Sequence, residues 1–229
     1  MTVDYNSGAP VLVAVDCIIF GFDEEELKLL AIKRDFAPEK GKWSLMGGFL
    51  QAGENLRTAA NRVLKELTGL SDVYMEQLQT FSEVDRDPLT RTISVTYFAL
   101  INIADHKTSF TEKYAPTWFA IHEVPPLIFD HSLMVDHAME RLRYKTSVEP
   151  LGFELLPEKF TMRQLQKLYE TILGEELDKR NFARKINALD VLEKLEEKDK
   201  ASSRKGSYLY RFDPEKYKNK RTSGFSIKF

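Results

Sequence analysis

Residues 47 to 70 constrain this chain more than any other stretch. Gly47-Gly48-Phe49 is followed by Gly53-Glu54, Arg62, Leu64, Glu66, Gly69 and Leu70. Such spacing describes a glycine-rich loop, an acid at the loop exit, and a helix that ends at Gly69. Positions 63, 66 and 67 project from one helix face, because residues three and four apart are neighbours there. Three carboxylates on that face could hold Mg²⁺ or Mn²⁺, hard cations that want several oxygen ligands. Such an ion would activate water and neutralise a diphosphate. This chain offers Glu66 alone, flanked by Val63 and Leu67. Leu56, Ala59, Ala60, Val63, Leu64 and Leu67 instead make one apolar stripe at helical spacing. A stripe of this kind ordinarily means core. Core packing does not account for the glycines, Glu54 and Arg62 at their offsets. Glu66 alone makes a poor divalent site.

Composition sets the bounds. The chain has 229 residues, 43% hydrophobic and 30% charged, as expected of a globular protein of one large or two small domains. Met1 to Gly8 has no basic start or apolar run of a signal peptide, and no apolar run approaches the about 20 residues of a membrane span. Cys17 is the only cysteine, so an internal disulfide is excluded, and a buried thiol in a reducing cytoplasm is expected. The four histidines show no ligand spacing; His131 and His137 lie six apart. The net charge of −2 hides an asymmetry. Residues 1–149 carry 15 Lys and Arg against 22 Asp and Glu; residues 150–229 carry 18 against 13. A basic C-terminal part suggests a polyanion partner.

Periodicity predicts the elements. Pro10 to Gly21 reads as a strand, Leu27 to Arg34 as its hairpin partner across Phe22-Asp23-Glu24-Glu25, and Trp43 to Leu50 as a short strand into the glycine loop. Glu54 to Thr68 is the helix of the motif. Val73 to Val84, Arg91 to Ile103 and Ala115 to Ile121 are further strands, and Asp130 caps a helix reaching about Lys145. Residues 1–147 therefore form an α/β domain with a mixed sheet. Residues 148–160, with Pro150, Gly152 and Pro157, read as a linker.

Residues 161–229 form a second domain. Thr161 and Gln164 make a capping box for a helix with Leu165, Leu168, Tyr169, Ile172 and Leu173 on one face. Asp178 caps a second helix, with Phe182, Ile186 and Leu189 inward. Lys179, Arg180, Asn181, Arg184 and Lys185 then face outward. Strands over Val191 to Glu196 and Tyr208 to Phe212 flank a basic tip with Arg204 and Lys205. Helix, turn, basic helix and hairpin is the order of a winged helix-turn-helix. Arg180, Asn181 and Arg184 are the base-reading candidates, since Arg pairs with guanine and Asn with adenine. Lys179, Lys185, Arg204 and Lys205 suit phosphates, which position without specifying. A solvated basic face is the plain alternative. The tail from Lys216 to Phe229 is open between strand, DNA-contacting arm and disorder.

The stretch from Gly48 to Leu70, with Lys42-Trp43-Ser44-Leu45-Met46 before it, resembles the Nudix family over roughly residues 8–147. With the C-terminal winged helix, nearly the whole chain resembles the Nudix-related transcriptional regulators, the NrtR family. The resemblance implies an α/β/α sandwich joined to a winged helix, in a homodimeric bacterial repressor that binds double-stranded operator DNA and a small effector. One branch of that family senses ADP-ribose and controls NAD metabolism; another senses sugars such as L-arabinose. A pocket stripped of metal carboxylates suits a neutral sugar, so the sugar branch is the expectation here, without cofactor, catalytic residue or metal. Glu66, Asp85, Arg86 and Asp87 are the candidate hydroxyl partners, and Trp43, Phe49 and Phe81 the candidate stacking rings. Core and hairpin-turn roles are the plain alternatives for these. Two other classes stay open. One is a working pyrophosphohydrolase recruiting Glu83, Asp85 or Glu112; the other is a module whose winged helix docks protein or RNA.

Overall fold

The computed structural model describes residues 10–23, 25–106, 114–148, 152–200 and 205–221. Met1 to Gly8, Glu24, Glu112, Pro150, Arg204 and the last eight residues of the tail lie outside the described residues.

The N-terminal unit is built on β1 (Leu12–Phe22), a strand buried on both faces from Ala14 to Phe22. Burial on both faces requires the near-continuous apolar run this segment has. It pairs in parallel with β6 (Thr92–Asn102) along its whole length, from Leu12↔Thr92 to Phe22↔Asn102. On its other side β1 has two antiparallel neighbours in succession. Ala14 to Cys17 pair with β4 (Met46–Phe49), and Ile19 to Phe22 pair with β2 (Leu27–Lys33). β3 (Trp43–Ser44) pairs with the far end of β2, β5 (Glu76–Phe81) with β6, and β7 (Thr117–Ala120) with β2. The single strand expected over Trp43 to Leu50 is thus two, broken at Leu45, where the chain crosses from β2 to β1. An opening is left where β2 and β4 diverge.

Helices cover both faces. α1 (Leu56–Thr68) lays Ala59, Ala60, Val63 and Leu64 on Val15, Cys17, Ile19 and Leu30. α2 (His131–Val148) lays Met134, Ala138 and Leu142 on Ile18, Phe20 and Leu29. α1 starts two residues later than expected. Asn55 is its cap, accepting from the Thr58 amide at 2.9 Å. Glu54 is drawn out of the helix by the Gln51 amide, 2.7 Å from its Oε1, and by Arg62. At the other end Gly69 adopts φ 85° and its N–H reaches the Lys65 carbonyl, a left-handed cap that glycine adopts without strain.

The C-terminal unit comprises β8 (Phe160–Thr161), α3 (Met162–Leu173), α4 (Lys179–Leu189), β9 (Leu192–Asp199), β10 (Ser207–Phe212) and α5 (Pro214–Arg221), with strand order β8-β10-β9. The capping box is present at Thr161 and Gln164, and Asp178 accepts from the Asn181 amide at 2.8 Å. α5 answers part of the question left by the tail: Lys216 and Lys220 hold Asp190, the left-handed cap of α4, at 3.0 and 3.1 Å.

The described residues between the units are packed rather than loose. α2 continues to Val148, Phe153–Leu155 form a short 3₁₀ turn, and Leu155, Leu156 and Phe160 are buried. One apolar cluster runs from Phe20, Phe22 and Leu29 through α2 and Leu155 to Leu165, Leu168, Phe182 and Ile186. Arg143 on α2 donates to the Ile172 carbonyl on α3 at 3.1 Å. Apolar burial decides here, and Gly152 marks only where the chain turns. Among the described residues no helix is long and apolar enough to cross a membrane.

Candidate effector cleft and nucleic-acid interface

The opening between β2 and β4 is the mouth of a cavity of about 140 Å³. Its wall includes Asp16, Ser44 and His131 at depth, and Arg34, Phe36, Phe49, Leu67, Asp87 and Phe129 nearer the surface. Separate segments build it: β1, the end of β2, the β3–β4 break, the end of α1, the loop after β5 and the start of α2.

Its floor is a buried polar network. The Leu45 amide, freed by the break, donates to His131 Nδ1 at 3.1 Å. Nε2 therefore carries the proton of the neutral ring, and it points at Asp16 Oδ1, 3.6 Å away. Asp16 also accepts from Ser94 Oγ at 2.5 Å. Arg86 closes the network, giving Nε and Nη2 to Asp130 at 2.8 and 2.7 Å, with Asp16 4.0 Å from Nη2. Burial pushes the His131 pKa below its usual value, against the opposing pull of Asp16 and Asp130. His131, set aside in the sequence, is thus part of the site. Asp130, expected to cap α2 with its side chain, commits both carboxylate oxygens to Arg86.

Above the floor, the loop and helix of the motif are fastened by Arg62. It donates to Glu54 at 2.6 and 3.0 Å, to the Phe49 carbonyl at 3.0 Å and to Glu66 at 3.3 Å. The Arg62 hydrogen bonds hold the Glu54 carboxyl below its ordinary range. Val63 is buried against Gly48, where an added Cβ would fall 2.7 Å from Val63 Cγ2. Leu67 lines the cavity. The donor set on this face is one carboxylate already engaged by an arginine, which does not fit a divalent ion. Among the described residues no three His, Cys, Asp or Glu side chains gather as a metal site. Glu83 and Asp85 are exposed on the loop after β5, and Glu112 lies outside the described residues.

The structure brings together only part of the predicted effector set. Phe49, Arg86 and Asp87 line the cavity. Trp43 does not; its ring packs edge-on to Phe119 at 4.7 Å with Lys33 over it at 5.1 Å. Phe81 is in the core beside His137, ring centroids 5.6 Å apart. Glu66 faces solvent and pairs with Arg62, and Asp85 is exposed. Sequence reasoning missed Arg34, Phe36, Phe129 and the Asp16–His131 pair. Phe129 has φ 51°, a strained conformation for a bulky residue, and nothing local in the sequence announces it.

On the second unit, α4 presents its basic face as expected. Phe182 and Ile186 are buried, Phe182 against the Tyr169 ring at 5.5 Å, while Lys179, Arg180 and Arg184 are exposed and Asn181 and Lys185 are half-buried. Arg184 donates to the Asn181 side-chain oxygen at 2.8 Å, so these two base-reading candidates form one unit. Lys205 is exposed beside Gly206, and Arg204 lies outside the described residues. Lys194 and Lys198 stand over the Tyr208 ring at 3.8 and 4.5 Å, an exposed cationic group on the hairpin that the sequence did not single out.

A sandwich of this kind carrying a winged helix on a shared core defines a class, a Nudix domain fused to a DNA-binding module. Family models agree: the NUDIX domain matches residues 10–138, and the NrtR DNA-binding winged helix domain matches residues 152–212. The chain belongs to the NrtR family. It is 35% identical over 210 residues to the "ADPR responsive transcriptional repressor NtrR" of Acinetobacter baylyi, covering 90% of this chain and 84% of that one. It resembles the crystal structure of Shewanella oneidensis NrtR complexed with a 27mer DNA, with TM-score 0.80 and 27% identity over 94% of this chain and 97% of the other. The NUDIX domain of the same Shewanella protein, complexed with ADP ribose, matches at TM-score 0.55 and 30% identity, over 61% of this chain and 94% of that one.

Proposed function

We propose that this chain is a transcriptional repressor that binds operator DNA as a homodimer through α4 and the β9–β10 hairpin. Its Nudix cleft binds ADP-ribose without hydrolysing it. The observation that carries the effector is the cleft wall: a guanidinium, Arg34, 3.7 Å from the Phe36 ring centroid and 5.6 Å from that of Phe129, suited to a diphosphate beside an aromatic base. The relatives that respond to or hold ADP-ribose support the same reading. The sugar expected from the sequence gives way to it, since that expectation rested on lost metal carboxylates and did not include Arg34. The poor donor set at Val63, Glu66 and Leu67 supports binding without hydrolysis. Ligand and DNA are coupled by linkage: ADP-ribose lowers operator affinity by the ratio of its affinities for the two protein states, roughly 5–150-fold for a coupling of about 1–3 kcal/mol.

The test is thermal stability of the full chain with ADP-ribose, L-arabinose or D-xylose, followed by fluorescence anisotropy on a duplex selected from a random pool. A ligand at 100 times its Kd adds about 2.7 kcal/mol. Stabilisation by ADP-ribose, loss of bound duplex on its addition, and no AMP released with Mg²⁺ present are expected. Stabilisation by a pentose alone would return the sugar reading, and turnover of ADP-ribose would return the hydrolase.

A further inference from the structure

A Nudix domain whose metal face has become apolar must neutralise a diphosphate some other way. The cleft wall holds two guanidinium groups, and they are in different states. Arg86 is buried and committed to Asp130. Arg34 is fixed at the neck of the loop after β2, its backbone N–H bonded to the Lys42 carbonyl and its backbone carbonyl to the Gly41 N–H. Its Nε donates to the carbonyls of Phe36 and Pro38 at 3.2 and 2.6 Å, which sets the plane of the group. The Phe36 ring centroid lies 3.7 Å from its central carbon and that of Phe129 lies 5.6 Å away. Neither terminal nitrogen makes a hydrogen bond among the described residues. Asp16, Asp35, Glu39 and Asp87 act on it only through space, and burial pushes its pKa down. Such a half-buried cation, with no contacting anion among the described residues, costs stability. The terminal edge of a guanidinium matches two phosphate oxygens.

We propose that Arg34 is the diphosphate-binding residue of the cleft, and that it replaces the divalent ion, so that ADP-ribose binds in its metal-free form. This rests on the effector reading above. Leu67 then forms an apolar wall beside the ligand where a metal ligand would be expected.

The experiment is titration calorimetry of the full chain with ADP-ribose, in EDTA and again with Mg²⁺. Equal affinity in both is expected. Arg34→Gln should weaken ADP-ribose about 10- to 100-fold, the range for a charged hydrogen-bonding partner, while adenosine binding changes less than about threefold. Arg34→Lys, which keeps the charge and loses the fork, should recover part of the loss. Thermal denaturation of the unliganded variants separates misfolding from lost contact; the Lys variant carries the test if the Gln variant does not fold. A requirement for Mg²⁺, or unchanged affinity in Arg34→Gln, overturns the proposal and leaves the effector reading standing. No binding of ADP-ribose by the wild type in either buffer overturns the effector reading itself.

Discussion

Removing Asp130 should destabilise the protein more than any single surface change. Its two oxygens receive Arg86 at 2.8 and 2.7 Å, and the side chains of Arg86 and Asp130 are 4% and 17% exposed. Asp130→Ala leaves a buried guanidinium with Asp16 as its nearest anion, 4.0 Å away and shared with Ser94 and His131. Breaking a buried pair by deleting one partner costs about 3–5 kcal/mol. The lower end applies, because Asp130 is partly solvated and Asp16 remains close. For a chain of this size, about 3 kcal/mol lowers Tm by roughly 6–12 °C. Urea denaturation followed by tryptophan fluorescence should show a lower midpoint at unchanged slope. Asp130→Asn keeps one carbonyl acceptor and should lose less. Arg86→Met with Asp130→Leu, which removes both charges, should return to within about 1 kcal/mol of the wild type. A loss below about 1 kcal/mol in Asp130→Ala would refute the reasoning, since that is the behaviour of a solvated surface pair.

Other expectations concern the junction, the floor and the DNA face. Leu168→Ala, fully buried in the cluster shared by both units, should cost about 2–5 kcal/mol, and both units should still melt in one transition by circular dichroism and fluorescence; two separated transitions would contradict a common core. His131 is held neutral by burial although Asp16 and Asp130 favour its charged form and Arg86 and Arg34 oppose it. Its folded pKa lies below the unfolded 6.5, so the unfolded chain takes the proton first. Stability should be full above that pH and fall as pH drops toward the folded value. His131→Gln should flatten that part of the urea midpoint against pH curve, and an unaltered slope would assign it to other groups. Arg184→Ala should cost about 1–3 kcal/mol of operator binding and relax sequence preference, whereas Lys179→Ala should weaken all sequences alike and reduce the salt slope by about 0.9. Anisotropy across a salt series distinguishes the two, and equal effects on cognate and random duplex would remove Arg184 from base reading.

What could be read in advance was local. The capping box at Thr161 and Gln164, the cap at Asp178 and the stop at Gly69 each depend on residues within a few positions, and each is present. The frame from Gly48 to Leu70 was legible because its residues meet across one loop and one helix, as Arg62 does with Glu54 and the Phe49 carbonyl. The cleft was not, because its wall joins residues as far apart as Asp16, Arg34, Leu45, Leu67, Asp87 and His131, which share no period. Arg86 and Asp87 were reached by polarity alone; Arg86 has its partner in Asp130, which no spacing rule connects to it. α5 escaped because Pro214 to Arg221 carries no apolar face, and its anchor is a pair of lysines on Asp190. In the expected linker, turn-forming residues dominate the pattern, and the burial of Leu155, Leu156 and Phe160 comes from partners far along the chain.

The cluster that joins the two units also bears on how such a chain is made. The sheet and α2 leave the ribosome before α3 and α4 exist, so Phe20, Phe22 and Leu29 are synthesised well ahead of Leu165, Leu168 and Phe182, which complete their cluster. For that interval whatever apolar surface α2 leaves open stays exposed, the condition under which nascent chains associate wrongly. Cutting the protein at the apparent boundary would make the interval permanent. The winged helix therefore serves as a late-arriving lid on its neighbour's interior as well as a reader of DNA.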